Sequence, residues 1–152
     1  MSTKASISGH PIHAMLVAFP ISLWTTSVAV DVFYYFMRNS ALIIISRFLL
    51  AAGCIGAIAA AVFGIIDWLG LQDREVKRVA NWHARLNIAA LVIFSISFYL
   101  RMQRNGHIVG HHLTIPFLIS FVGLVLIGIS GWLGGELVYK HGVGVQPRNN
   151  DG

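Results

Sequence analysis

Four long apolar runs dominate this chain and restrict the folds that it can adopt. Each run approaches or exceeds the roughly 20 residues that a helix needs to cross the hydrocarbon core of a bilayer. Short linkers separate the runs, which cover approximately Ala14–Met37, Phe48–Leu71, Trp82–Leu100 and Leu113–Tyr139. Because helices joined by short linkers pack as antiparallel neighbours, the pattern predicts an all-α fold, an integral membrane four-helix up-down bundle.

The composition favours a membrane protein over a soluble domain. The chain has 152 residues and is 56% hydrophobic and 11% charged, which leaves too little polar surface for a soluble domain of this length. The net charge of +5 forms no basic stripe on a polar fold, so we expect contact with the lipid bilayer and none with nucleic acid. We expect a single transmembrane domain over residues 1–145 and a flexible polar tail over 146–152.

The distribution of basic residues bears on membrane orientation. We call side A the membrane face that holds both termini and the linker Gln72–Asn81, and side B the face that holds Arg38–Arg47 and Arg101–His112. Side A carries seven Lys and Arg residues and side B carries four. The positive-inside rule therefore favours a cytoplasmic side A.

Polar and ionisable residues gather at the side A ends of all four runs. Such groups are costly at membrane depth and usually mark a site, although each could instead pair with a nearby cation or a lipid headgroup. Two pairs have helical spacing, three residues apart at the start of the first run and four apart in the third. The candidates are His10, His13, Asp67, His83, Asn87 and Glu136.

These residue types suggest a bound metal, and two designs remain open. In the first, His13 and His83 are the axial ligands of a b-type haem, with Asn87 beside it. In the second, His10, His13 and His83 join Asp67 or Glu136 around non-haem iron, zinc or copper, since nitrogen and oxygen ligands suit these metals. Both His13 and His83 are expected at helix N-termini, where the dipole favours the neutral imidazole that binds metals.

Other features of the apolar runs have simpler interpretations. Small residues at helical spacing in the second run (Gly56, Ala60 and Gly64) and the fourth (Gly131 and Gly135) are expected to allow close helix packing, and making room for a flat cofactor is the alternative. Asp31 is expected to form a buried salt bridge with Arg47 or Arg101, and a proton path is the alternative. The histidines at 107, 111 and 112 are interpreted as solvated loop residues.

Two stretches resemble a known family. They are Gly9-His10-Pro11-Ile12-His13 with Phe19-Pro20, and the stretch from Gly131 to Val145. Both are similar to small bacterial four-helix membrane proteins grouped as domain of unknown function 2231, and the resemblance extends from His10 to Val145. In that family another proline usually follows the HPIH motif, whereas this chain has Ala14. Some relatives carry a Rieske-type iron–sulfur domain after the fourth helix, which implies redox chemistry at side A. The resemblance to bacterial membrane proteins implies a location in the bacterial inner membrane.

The resulting hypotheses fall into different functional classes. The first is a redox-linked protein that binds b-type haem and transfers electrons, either as a subunit of an oxidoreductase with a redox partner protein or as a homo-oligomer. The second is a non-haem metal-binding membrane protein. The third is a structural subunit of a larger respiratory or dehydrogenase complex, and a transporter is a fourth with less support.

Overall fold

The structure, a computed structural model, describes residues 5–103 and 113–145. Its elements in chain order are β1 Ser6–Ile7, β2 His10–Pro11, α1 Ile12–Leu16, α2 Ala18–Met37, α3 Ser40–Leu69, α4 Arg74–Met102 and α5 Thr114–Tyr139. Helices α1 and α2 together make the first span, and α3, α4 and α5 make the other three. All four spans are long and apolar enough to cross a membrane, which confirms the predicted bundle and places the chain in a lipid bilayer.

Two helices extend well beyond the apolar runs that predicted them. Helix α3 begins at Ser40 rather than Phe48, and α4 begins at Arg74 rather than Trp82. The side chain of Asn39 accepts from the backbone N–H of the second residue of α3, and Asp73 caps α4 in the same way. Apolar content marks the part of a helix inside the bilayer, whereas caps mark where its backbone begins. The predicted linkers were therefore too long.

A small β-hairpin precedes the first span and was not predicted from the sequence. Ser6–Ile7 pairs antiparallel with His10–Pro11 through the turn residues Ser8 and Gly9, whose φ angles are 50° and 79°. Two residues with positive φ are typical of a tight hairpin turn. The backbone N–H of Ala5 donates to Asp67 Oδ1 over 2.9 Å, so the hairpin is tied to the side A end of α3.

A proline divides the first span. Pro20 has no N–H to donate to the carbonyl of Leu16, and the helical backbone is interrupted at Val17, between α1 and α2. Pro116 lies in the first turn of α5, where a missing N–H costs no intrahelical bond. Val17 nevertheless has helical φ and ψ angles of −62° and −23°, and its N–H donates to the His13 carbonyl over 3.1 Å. Helix α1 carries His13 and packs against α3.

The two halves of the bundle repeat each other. One offset of 70 residues separates His13 from His83, Trp24 from Phe94 and Asp31 from Arg101. The two rings of the first pair, the two rings of the second and the two charged groups of the third are in contact. Contacts between equivalent residues lie on a two-fold axis. Since α2 and α4 run in the same direction, this approximate axis follows the bundle from side A to side B.

The middle of the axis is a close-packed aromatic layer. The rings of Trp24 and Phe94 are stacked with centroids 4.3 Å apart and an angle of 14° between their planes. Each ring lies on a glycine of the following helix, Trp24 on Gly53 and Phe94 on Gly123. Large apolar side chains cover the outside of the bundle, as expected for helices that face lipid. The aromatic layer separates the two polar clusters of the core described next.

Candidate functional site

His13 and His83 face each other on the two-fold axis near side A. Their ring centroids are 6.3 Å apart and their planes are at 88°. Each Nδ1 lies 2.8 Å from a backbone carbonyl of the next span, that of Ala60 for His13 and that of Ser130 for His83. A carbonyl oxygen only accepts, so each Nδ1 carries a hydrogen and each neutral ring keeps its lone pair on Nε2. Both histidines thus have the tautomer that can bind a metal through Nε2.

Glycines make the room for both imidazoles. A Cβ at Gly64 would lie 2.9 Å from Cε1 and Nδ1 of His13, and a Cβ at Gly134 would lie 3.2 Å from Cε1 of His83. Gly64 is the last member of the small-residue series predicted on the second run. Its role is to let an imidazole reach the neighbouring backbone, which combines the packing interpretation with a role in the site.

Polar groups surround only one of the two rings. Asn87 Nδ2 lies 2.8 Å from Ser130 Oγ, 2.9 Å from the His83 carbonyl and 3.1 Å from His83 Nε2. The third of these contacts places an amide N–H donor within hydrogen-bond distance of His83 Nε2, the nitrogen that would bind a metal. Beside His13, the equivalent positions are Val17 and Ala60. The site therefore combines two similar imidazoles with two different surroundings.

The other predicted ligands lie apart from this pair and have other contacts. His10 is exposed on β2, with its Nδ1 3.1 Å from the Ser8 carbonyl of the same hairpin. The helical turn that would place His10 and His13 on one face is not formed, because His10 lies in β2 and precedes α1. Asp67 accepts from the Ala5 backbone. Glu136 pairs with Lys140 over 2.9 Å, and this hydrogen bond raises the pKa of the Lys140 ammonium.

Within residues 5–103 and 113–145 there is no group of three or more His, Cys, Asp and Glu side chains placed to hold a metal ion. What the fold brings together is a pair of histidines. The dipole argument for His83 was also wrong, because His83 lies nine residues after the first residue of α4 and the dipole acts within the first turn. The Ser130 carbonyl instead determines that Nδ1 is the nitrogen of His83 that carries a hydrogen.

A buried ion pair occupies the other end of the axis, near side B. Both guanidinium NH groups of Arg101 donate to Asp31, over 2.7 and 2.6 Å, and the two side chains are 0% and 3% exposed. Of the two expected partners for Asp31, Arg101 is the one that binds it. The hydroxyls of Ser46, Ser97 and Ser120 complete the hydrogen bonding around the pair. Several kcal/mol of desolvation is offset only where such bonding is complete.

The remaining predictions on small residues and loops have mixed outcomes. A Cβ at Gly131 would meet no atom within 4 Å, and one at Gly135 would meet only Tyr139 of its own helix, so this glycine pair packs against no other helix of the described chain. Gly56 does pack closely, since its Cβ would lie 3.4 Å from Pro20. The histidines at 107, 111 and 112 and the tail 146–152 lie outside the described residues.

The internal repeat was missed by the sequence analysis, although a signal existed. His13-Ala14-Met15-Leu16 and His83-Ala84-Arg85-Leu86 share three of four residues, and Ser27, Gly53 and Gly64 recur as Ser97, Gly123 and Gly134. A search for self-similarity at a fixed offset would have found them. The repeat would then have predicted that His13 and His83 meet on an axis.

Comparison with known proteins gives one result, on the family. A family model described as "Predicted membrane protein (DUF2231)" matches residues 9–147. No curated protein and no solved structure matches the chain. The match covers the second strand of the hairpin, all four spans and both histidines of the axial pair, so the chain belongs to the DUF2231 family of membrane proteins.

Proposed function

We propose that this protein is a redox-linked membrane protein that binds one b-type haem near side A and serves electron transfer. His13 and His83 are the proposed axial ligands. The observation that carries the proposal is the arrangement of this pair, two imidazoles whose ring centroids are 6.3 Å apart across the bundle axis, each with Nδ1 bound to a carbonyl.

The separation of the two ring centroids is close to that of two imidazole ligands on one metal ion. A metal–imidazole nitrogen bond is about 2.0 Å, and a ring centre lies about 1.1 Å behind its nitrogen, so two opposed ligands have ring centres roughly 6 Å apart. The nearly perpendicular ring planes are compatible with this arrangement. Two protein ligands also suit haem better than a bare metal ion, since the porphyrin supplies four nitrogens of its own.

Other groups of the chain would orient the imidazoles of His13 and His83 and adjust their properties as ligands. The carbonyls of Ala60 and Ser130 orient the two rings and increase the electron density on Nε2 by accepting from Nδ1. Asn87 and the Ser130 hydroxyl place dipoles beside His83 alone, which makes the two ligands unequal. Haem, when bound, supplies reversible one-electron transfer at its iron. Both histidines are half-buried, and the access of water to such a site affects the reduction potential.

The direct test is a reduced-minus-oxidised visible spectrum of the detergent-purified protein, with iron and haem measured on the same sample. We expect a b-type spectrum and about one haem per chain. His13→Ala and His83→Ala should each lose the haem, whereas His10→Ala should keep it, because His10 lies on the exposed hairpin. Stoichiometric metal without porphyrin would contradict haem and favour the non-haem alternative. A colourless, metal-free protein would assign the pair to packing in a structural subunit.

Gly64→Ala is a second test that leaves both ligands in place. The new Cβ would lie 2.9 Å from the His13 ring and displace it from the Ala60 carbonyl. We expect haem affinity to fall roughly 10- to 100-fold and haem content to fall with it, because losing the hydrogen bond that orients a ligand typically lowers affinity by that factor. Gly131→Ala is the control, since its Cβ would meet no atom within 4 Å. Equal haem content in the two variants would contradict the proposed role of His13.

We further propose that the protein lies in the bacterial inner membrane with side A cytoplasmic and a redox partner protein docking there. The burial of Arg101 in an ion pair supports the orientation, because it removes one cation from side B and leaves Arg38, Arg47 and Arg104. Cysteine labelling with a membrane-impermeant reagent checks it. A cysteine that replaces exposed Trp82 or Ile7 should be protected in intact cells, and one that replaces Arg38 should react.

A further inference from the structure

The outer face of α4 carries an unusual cluster of cations at side A. A cavity of about 400 Å³ is lined by Arg74, Lys77, Arg78, Asn81, Trp82 and Arg85. Residues at these spacings lie on one face of a helix. Four of the six are cations and none is acidic, so the lining itself is positively charged. We propose that it binds the phosphate of an anionic phospholipid headgroup.

The depth of the cavity matches the phosphate layer of a bilayer. Helix α4 has 29 residues and is therefore about 43 Å long, longer than the roughly 30 Å of hydrocarbon. Its apolar stretch begins at Trp82, which is 54% exposed, as is common for tryptophans at the membrane–water interface. Arg74 and Arg78 precede this level and Arg85 follows it, so the cavity spans the interface itself. A soluble anion has no such restriction in depth.

Arg85 shows the orientation expected for a lipid contact. It is exposed on the outer surface of α4, one turn inside the apolar stretch. Its guanidinium carbon lies 5.3 Å from the centroid of the Trp82 ring, one turn nearer to side A. A basic side chain at this depth directs its charge to the headgroups while its stem stays in hydrocarbon. The guanidinium is thus brought to the level where phosphates lie.

Two of the cations, Lys77 and Arg85, contact aromatic rings rather than carboxylates. Lys77 Nζ lies 4.7 Å above the Trp68 ring of α3, as Arg85 lies by Trp82. Cation–π contacts position a charge without neutralising it. Trp68 Nε1 also donates to Asn81 Oδ1 over 2.6 Å, which directs the donating end of that amide away from Trp68. The lining therefore offers N–H donors and positive charge, the two features that a phosphate diester recognises.

The test compares headgroups and variants in detergent. Protein in a neutral detergent is titrated with phosphatidylglycerol or phosphatidylcholine, and bound lipid is counted by native mass spectrometry. We expect one phosphatidylglycerol retained in preference to phosphatidylcholine. Arg78→Gln with Arg85→Gln should weaken that binding about 30-fold, since each basic residue near anionic lipid contributes about a fivefold factor. Arg78→Lys with Arg85→Lys should keep most of it.

Matched controls make each outcome decisive. Arg38→Gln removes an exposed cation from side B that also lies by an aromatic ring, 5.9 Å from the centroid of Tyr35, and should leave lipid binding unchanged. Equal retention of the two lipids, or an equal effect of Arg38→Gln, would overturn the proposal. Titration with inorganic phosphate alone separates the two sources of this chemistry. Saturable binding of phosphate that displaces the lipid at equal concentration would overturn the assignment to a headgroup.

Discussion

Arg101→Leu is expected to lower the free energy of unfolding by about 3–5 kcal/mol, because it leaves the carboxylate of Asp31 buried without its partner. Asp31 would keep its hydrogen bond from Ser46. A buried carboxylate without a partner is less unfavourable when it is protonated, so the loss of unfolding free energy should be smaller at acidic pH. Unfolding in mixed micelles with increasing SDS measures this free energy. Leu100→Ala, at the preceding position of the same helix, serves as the control for a change in side-chain volume.

Two double variants show whether the loss comes from the pair itself. Asp31→Leu with Arg101→Leu removes both charges and should be far more stable than either single variant, since replacing a whole buried pair by apolar groups is often neutral. Asp31→Arg with Arg101→Asp exchanges them. The two positions are equivalent about the two-fold axis, so the exchanged pair should form and recover part of the stability. Losses that simply add would contradict direct coupling.

Gly53→Ala is expected to destabilise the bundle by about 1–3 kcal/mol, the range for overpacking a core. Its Cβ would lie 2.5 Å from Cδ1 and Nε1 of Trp24, and the indole cannot retreat because it is stacked on Phe94 at 4.3 Å. The same SDS titration gives the value, and the near-ultraviolet circular dichroism of Trp24 should change with it.

Gly131→Ala provides a control with the opposite expected sign. Its Cβ would meet no atom within 4 Å, so the change keeps the packing and gains the better helix propensity of alanine, up to about 1 kcal/mol. If both substitutions have the same sign and size, then close packing of Gly53 on Trp24 does not contribute to stability as described.

The sequence predicts the membrane depth of the candidate site residues, but it does not predict which of them meet. The positions of His13, Asp67, His83 and Glu136 relative to the apolar runs place them all at side A. Depth alone does not give the rotation of each helix about its own axis, which decides whether a side chain faces the core, a neighbour or lipid. The rotation places His13 and His83 on the axis, whereas Glu136 is turned to Lys140 and Asp67 to the Ala5 backbone.

The sequence by itself determined the bilayer environment, the four spans, the up-down order and the family, because each follows from local apolar length or from a contiguous motif. The tertiary structure alone decided the helix ends, the hairpin at Ser6–Pro11 and the tautomers of both histidines. It also decided that His13 meets His83 and that Asp31 meets Arg101. These contacts join residues 70 positions apart in the sequence. Which residues meet depends on the rotation of each helix and on the glycines that leave room for a ring.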